Sequence, residues 1–169
     1  MAIALLNEAG TAVVSLFAQP QGESVGAVEI DDSDARVLAF IAAQNSAQLV
    51  SYAMAKQALI ANGGVSINVA ASGPPIMASA DTSVTGRVDL SGVLQSAQLN
   101  SGYTTVWVQT SGNLTLNAAA ILLLAVGVGA FIEATYAALA GVLAAIAAGT
   151  VTTTAEIDAF ASPAWPANS

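Results

Sequence analysis

Short stretches of alternating or continuously apolar residues open the chain. Ile3-Ala4-Leu5-Leu6 and residues 11–17 are β-prone runs parted by the turn-forming Asn7-Glu8-Ala9-Gly10, and residues 25–30 supply a third short run. Together they predict a β-ribbon over residues 1–32. The acidic Asp31-Asp32-Ser33-Asp34 follows. It lacks the downstream Gly and Glu of a twelve-residue calcium loop. It suits a helix start, with Ser33 as the cap and carboxylates at the positive end of the helix dipole. The period then lengthens: Val37, Phe40, Ile41, Leu49, Tyr52, Leu59 and Ile60 recur near helical spacing, and Gly63-Gly64 stop the run. A helix over 33–62 would be a rod of about 40 Å at 1.5 Å per residue, making residues 33–64 a helical connector.

Val65, Ile67 and Val69 alternate as on a half-buried strand over 65–70; Ser72-Gly73-Pro74-Pro75 turns the chain and residues 76–78 return it. Within 81–100 the apolar Val88, Leu90, Val93, Leu94, Ala97 and Leu99 fit a helix better than a strand, with Asn100 and Gly102 at its end. Residues 103–116 read as a hairpin: Thr104, Val106 and Val108 alternate with Thr105, Trp107 and Gln109, Ser111-Gly112-Asn113 turns, and Leu114-Thr115-Leu116 returns. A lone hairpin tryptophan is more often a plug between sheet and helices than a ligand platform, and Trp107 is read so. Asn117 caps a helix over 117–148. Its bulky positions are Val128, Phe131 or Ile132, Tyr136, Leu139, Val142 or Leu143, and Ile146, approximating a coiled-coil seam. Ala134, Ala137, Ala138, Gly141 and Ala144 oppose them, small enough for a second helix to approach. Gly127-Val128-Gly129 lacks the Lys and Ser/Thr of a phosphate loop and is read as close helix packing. Gly149 ends the helix, Thr153 and Glu156 form a capping box for a short helix over 154–161, and Trp165 pins the tail Ser162-Pro163-Ala164-Trp165-Pro166. The fold class is α+β: an N-terminal β-ribbon, a long helix, small β-hairpins, then a long C-terminal helix and a short terminal one.

Composition sharpens this picture. Apolar residues make up 55% of the chain and charged residues 8%, where about 25% charged is usual. So few charges cannot cover a monomer's surface, so apolar faces are expected to meet copies of the chain or a partner. A homo-oligomer is favoured, a trimer first, with Val128, Ile132, Tyr136, Leu139, Leu143 and Ile146, together with Phe40, Trp107 and Trp165, as the expected interface. The net charge is −8, and only Arg36, Lys56 and Arg87 are positive. Nucleic-acid binding and contact with anionic lipid both draw on many Lys and Arg, so neither is expected.

Chemistry is scarce. There is no Cys and no His, so disulfides, Cys/His zinc sites and Cys or Ser/His nucleophiles are outside this chain's repertoire. The nearest catalytic set is Glu133, Thr135 and Tyr136, and one acid without a partner does little. No enzyme activity, cofactor or metal is expected. The start has no positive region before Glu8 and Gly10, unlike a signal peptide. Residues 118–132 and 134–149 are uncharged and parted by Glu133. They approach the roughly 20 residues of a membrane span. No Lys or Arg flanks them to set an orientation, so a helix buried in a bundle is expected instead.

One group of residues carries a resemblance. Gly86-Arg87-Val88-Asp89-Leu90-Ser91-Gly92, Ala97-Gln98-Leu99-Asn100, Val106-Trp107-Val108, Leu114-Thr115-Leu116-Asn117-Ala118-Ala119 and Phe131-Ile132 occur in order. Ala148-Gly149-Thr150-Val151-Thr152-Thr153-Thr154-Ala155-Glu156-Ile157-Asp158 and a closing Trp165-Pro166 follow them. The stretch resembles a C-terminal domain of unknown function found in bacteriophage and prophage proteins of the tail and tail-fibre region. Val28-Glu29-Ile30 through Asp34 to Phe40 is similar to the segment that often precedes it. The helix here is richer in Leu and Ala, and Ser162-Pro163 intervenes before Trp165-Pro166. The resemblance implies that 65–169 is a phage-type domain without catalytic residues. It also implies a structural component of the virion (tail, baseplate, fibre or head decoration), made in the host cytoplasm and docked on another phage structural protein. The alternatives are a tail-fibre assembly chaperone that leaves the mature particle and a holin-like membrane protein.

Overall fold

A computed structural model describes residues 2–17 and 27–168; Val25 and Gly26 of the expected third strand lie outside them. The chain divides into two compact units, Met1–Ser51 and Tyr52–Ser169.

In the first unit, β1 (Ala2–Leu6) is the centre of a three-stranded antiparallel sheet, flanked by β2 (Val13–Phe17) and β3 (Ala27–Ile30) in the order β2-β1-β3. The β1–β2 turn is held by Asn7, whose Oδ1 accepts from the amides of Thr11 (2.8 Å) and Ala12 (3.1 Å), while Gly10 adopts a φ of 66°. Ala4, Val13, Ile30 and Val37 form its core, with Leu6, Leu16 and Phe40 packed on it. Helix α1 (Ala35–Asn62) begins here. Its cap is Asp34, not Ser33: Asp34 Oδ1 accepts the Arg36 amide at 2.8 Å. Ser33 lies one position earlier, inside the turn that the Asp34 amide closes on the Asp31 carbonyl, and the first helical bond is accepted by the Asp34 carbonyl from Leu38. Arg36 grips Asp34 through Nε and Nη2 and donates from Nη1 to the Gly10 carbonyl at 2.8 Å.

The second unit starts with the C-terminal part of α1. Two hairpins follow, β4 (Val65–Asn68) with β5 (Met77–Ala80) and β6 (Thr104–Trp107) with β7 (Leu114–Asn117), separated by α2 (Val84–Leu99). Strand β4 stops two residues short of the expected Ala70, because Asn68 Oδ1 takes the amides of Ala70 and Ile76. Ser83 caps α2 by accepting from Gly86 N. Asn117 caps α3 (Ala118–Ala147) by accepting from Ala120 N at 2.9 Å, and Gly149 (φ 70°) ends it. The Thr153–Glu156 capping box is present and opens α4 (Thr154–Asp158), which stops before the expected residue 161. One core joins both hairpins to α2 and α3: Val69, Ala78, Leu90, Leu116, Ile121, Leu124 and Val128 are among its buried members.

The two hairpins stay separate sheets, yet they are tied together at β5. Trp107 Nε1 donates to the Ser79 carbonyl at 2.8 Å, and Gln109 Oε1 accepts from the Ser79 amide at 2.9 Å. Two side chains thus occupy backbone groups of β5 that a third strand would otherwise take. Trp107 is also half-buried against the core, as the plug expected of it.

Candidate interaction surface

Helix α3 is apolar on every side, so its sequence alone does not say which side faces in. The buried line is Ile121, Leu124, Val128, Phe131, Thr135, Ala138, Val142 and Ile146. These steps of three and four are those of a coiled-coil seam. At its middle the seam holds a polar residue that is fully buried, Thr135. Its Oγ1 accepts from Nε2 of the buried Gln57 on α1 at 2.9 Å and donates to the Ile132 carbonyl at 2.8 Å. A buried hydroxyl and a buried amide that satisfy each other fix one register of α1 on α3.

Beside the seam run Ala120, Gly127, Ala134 and Gly141, seven residues apart. A Cβ at Gly127 would lie 2.6 Å from Ile67 Cγ2, and one at Gly141 would lie 2.9 Å from Pro163 Cδ and 3.0 Å from Phe160 Cε1. Gly127 therefore admits strand β4 rather than another helix, a correction to the expected helix packing. Gly141 admits the returning C-terminus. That segment is clasped to α1: Lys56 Nζ donates to Asp158 Oδ1 at 2.6 Å, and the Tyr52 hydroxyl donates to the same carboxylate at 3.0 Å. Trp165 Nε1 donates to the Ile157 carbonyl at 2.8 Å, and Lys56 Nζ stands 5.8 Å from the Trp165 ring centroid. The tail is pinned by Trp165, as expected. Lys56 and then Tyr52 hold the Asp158 carboxyl below its ordinary range, and the bond to Asp158 raises the Tyr52 phenol. The Thr152 amide, with smaller help from Thr153, lowers Glu156.

Among the described residues nothing covers the opposite side of α3. Leu122, Leu123, Val126 and Tyr136 are 41%, 37%, 70% and 58% exposed. Ala130, Glu133, Ala137, Ala140 and Ala144 are exposed on the same side. Gly129 belongs to it as well, and a Cβ there would meet nothing within 4 Å. A mid-helix glycine is less favourable than alanine by roughly 0.5–1 kcal/mol. Gly127 and Gly141 have an internal reason for that cost; Gly129 has none among the described residues. By length and composition α3 is able to cross a membrane, and one third of its most apolar window is buried.

The nine residues expected at an interface divide accordingly. Val128 and Ile146 are buried in the chain's own core, and Ile132 and Trp107 pack half-buried against it. Leu139, Leu143 and Trp165 are half-buried in the second unit, and Phe40 packs on the core of the first. Tyr136 alone stands on the open face. Large side chains directed the expected seam, whereas the inward line contains Thr135 and Ala138, where the packing is close. The residues missed were Leu122, Leu123 and Val126; their signal was the same period of three and four, shifted to the other side of the helix.

Little chemistry converges elsewhere. Among the described residues no three of His, Cys, Asp and Glu are grouped as a metal would require. A hollow of about 240 Å³ beside β7, bounded by Val69, Ile76, Thr115, Leu116 and Ala120 among others, has no ionisable side chain in its lining. Glu133 is exposed and Thr135 is engaged with Gln57, so Glu133, Thr135 and Tyr136 do not form a joint site. No protein-family model, curated protein or solved structure matches this chain.

Proposed function

We propose that this protein is a non-enzymatic structural component of a bacteriophage particle that works by burying the open face of α3 against copies of itself and docking on another virion protein. The observation that carries the self-association is that face, where Leu122, Leu123, Val126 and Tyr136 stand in solvent along one side of a helix already packed on the other. An exposed apolar strip of this length on a small domain marks an interaction site. The assignment to a phage particle rests on the resemblance of residues 65–169 to tail-region domains. The scarcity of Lys and Arg and the lack of Cys and His support a role built on packing rather than on nucleic-acid contact or nucleophilic chemistry.

A membrane reading draws on the same helix, which is long and apolar enough to span. Against it, the inward side of α3 carries both hairpins and α2, and Glu133 lies in the middle of the open side. The bilayer core has no room for an attached aqueous domain along a spanning helix.

Counting this chain in purified particles by quantitative mass spectrometry tests the proposal. A fixed copy number, a multiple of three for a trimeric arrangement, is the expected result. Absence from particles while the chain is present in the lysate contradicts it. Recovery in the soluble lysate then identifies an assembly chaperone, and recovery in membranes a holin-like protein.

A further inference from the structure

The open face of α3 is uneven along its length in a way that bears on how two copies meet. Its N-terminal end carries the bulky Leu122, Leu123 and Val126, whereas its C-terminal end carries one large side chain, Tyr136, and beyond it only Ala137, Ala140 and Ala144. Between them stand Gly129 and Ala130, one turn before the face's only charged residue, Glu133. We infer that the occupant of this face is the same face of a second copy, lying antiparallel about a twofold axis near Phe131. This rests on the self-association proposed above and adds its geometry.

Shape and charge both favour that direction. In an antiparallel pair centred between residues 131 and 132, Val126 lies opposite Ala137 and Leu123 opposite Ala140, and Tyr136 comes within a turn of the partner's small Gly129 and Ala130, so large side chains meet small ones along the pair. Knobs of this kind need holes. Glu133 then lies opposite Ala130 or Gly129, where the missing side chain leaves the carboxylate room to turn toward water. The open space around Gly129 acquires a cause: it is cleared for the partner rather than for this chain. In a parallel, in-register pair Glu133 would face Glu133 across an apolar seam, and burying like charges together is strongly unfavourable. The helix of 30 residues is about 45 Å long at 1.5 Å per residue. One face of that length places the contact near the lower end of stable interfaces, so association should depend on concentration. A twofold contact is self-complementary and closes as a dimer; a particle of threefold symmetry would use three of them in a D3 hexamer.

Because the chain has no cysteine, single cysteines report the alignment without background. Val126→Cys and Ala137→Cys are on exposed positions, and unchanged circular dichroism will verify each fold. The full-length variants carry tags of different mass and are mixed, then oxidised. In the antiparallel pair residues 126 and 137 of different copies adjoin. Two copies of residue 126 are offset by about 16 Å along the axis, beyond the roughly 7 Å limit for Cα atoms joined by a disulfide. The expected result is a cross-linked heterodimer in the mixture and at least a tenfold weaker dimer band from Val126→Cys alone. Self-cross-linking of Val126→Cys with no 126–137 product would overturn the antiparallel geometry and leave self-association standing. A monomer at every concentration in light scattering, with no cross-link, would overturn both. Counting in particles addresses the virion role separately.

Discussion

Gly127 and Gly129 stand two positions apart on α3 in opposite surroundings, and their substitution separates internal packing from external. A methyl group at Gly127 runs into Ile67, and overpacking of this kind costs about 1–3 kcal/mol. At Gly129 the methyl meets open space, and the gain in helix propensity is about 0.5–1 kcal/mol. Urea unfolding at concentrations low enough to keep the chain monomeric should therefore show Gly127→Ala with a lower midpoint than the parent and Gly129→Ala with a higher one. Thr135 makes a third residue-scale case. Thr135→Val keeps the shape but leaves the Gln57 amide buried without its partner, a loss of about 1–3 kcal/mol that the same unfolding experiment measures. Asp158 and Asp34 set the acid response. Both carboxyls are lowered in the folded chain, Asp158 by Lys56 and Tyr52, and Asp34 by Arg36 from 3.8 to about 2. Lowered acids stabilise above their unfolded value and lose that contribution as pH falls through the folded one. The melting temperature should drop as pH falls from about 4 toward 2. Asp158→Asn should melt lower at pH 7 and show a shallower part of that acid loss.

At the scale of elements, the Trp107 and Gln109 side chains shield the edge of β5. Gln109→Ala frees the Ser79 amide, so hydrogen exchange at Ser79 should speed up by tenfold or more while the β6–β7 amides keep their protection. An unchanged Ser79 rate would mean that the edge is shielded by something else. Elements of this size were readable where their signals are local. Asn117, Gly149 and the Thr153–Glu156 pair each act on backbone groups within a few residues, so they marked the ends of α3 and the start of α4 directly. The hairpins were equally plain, because alternation over a few residues flanks a turn. Ser33 misled because two adjacent residues both suit a cap, and the Asp31–Asp34 turn leaves Ser33 one position short of the first helical bond. The inward side of α3 was not readable for a different reason. A helix apolar all round carries two seams of the same period, and only its neighbours in the fold, α2, the hairpins and α1, choose between them. That choice placed Thr135 and Ala138 inside and left Val126 out.

At the scale of the whole molecule, the unusual composition and the open side of α3 belong to one account. A chain with 8% charged residues has little to cover that side with, and a second copy covers it without adding charge. Val126 is the most exposed of its large side chains. Placing a carboxylate there should abolish association and leave the fold intact, because Val126 contributes little to the internal core. The direct measurement is sedimentation equilibrium of the full chain over a range of concentrations, parent against Val126→Asp. The parent's mass should rise with concentration to a defined oligomer, and the folded variant should stay at the monomer mass of 16.7 kDa. A parent that remains monomeric throughout, or a variant that assembles as the parent does, would contradict association through this face.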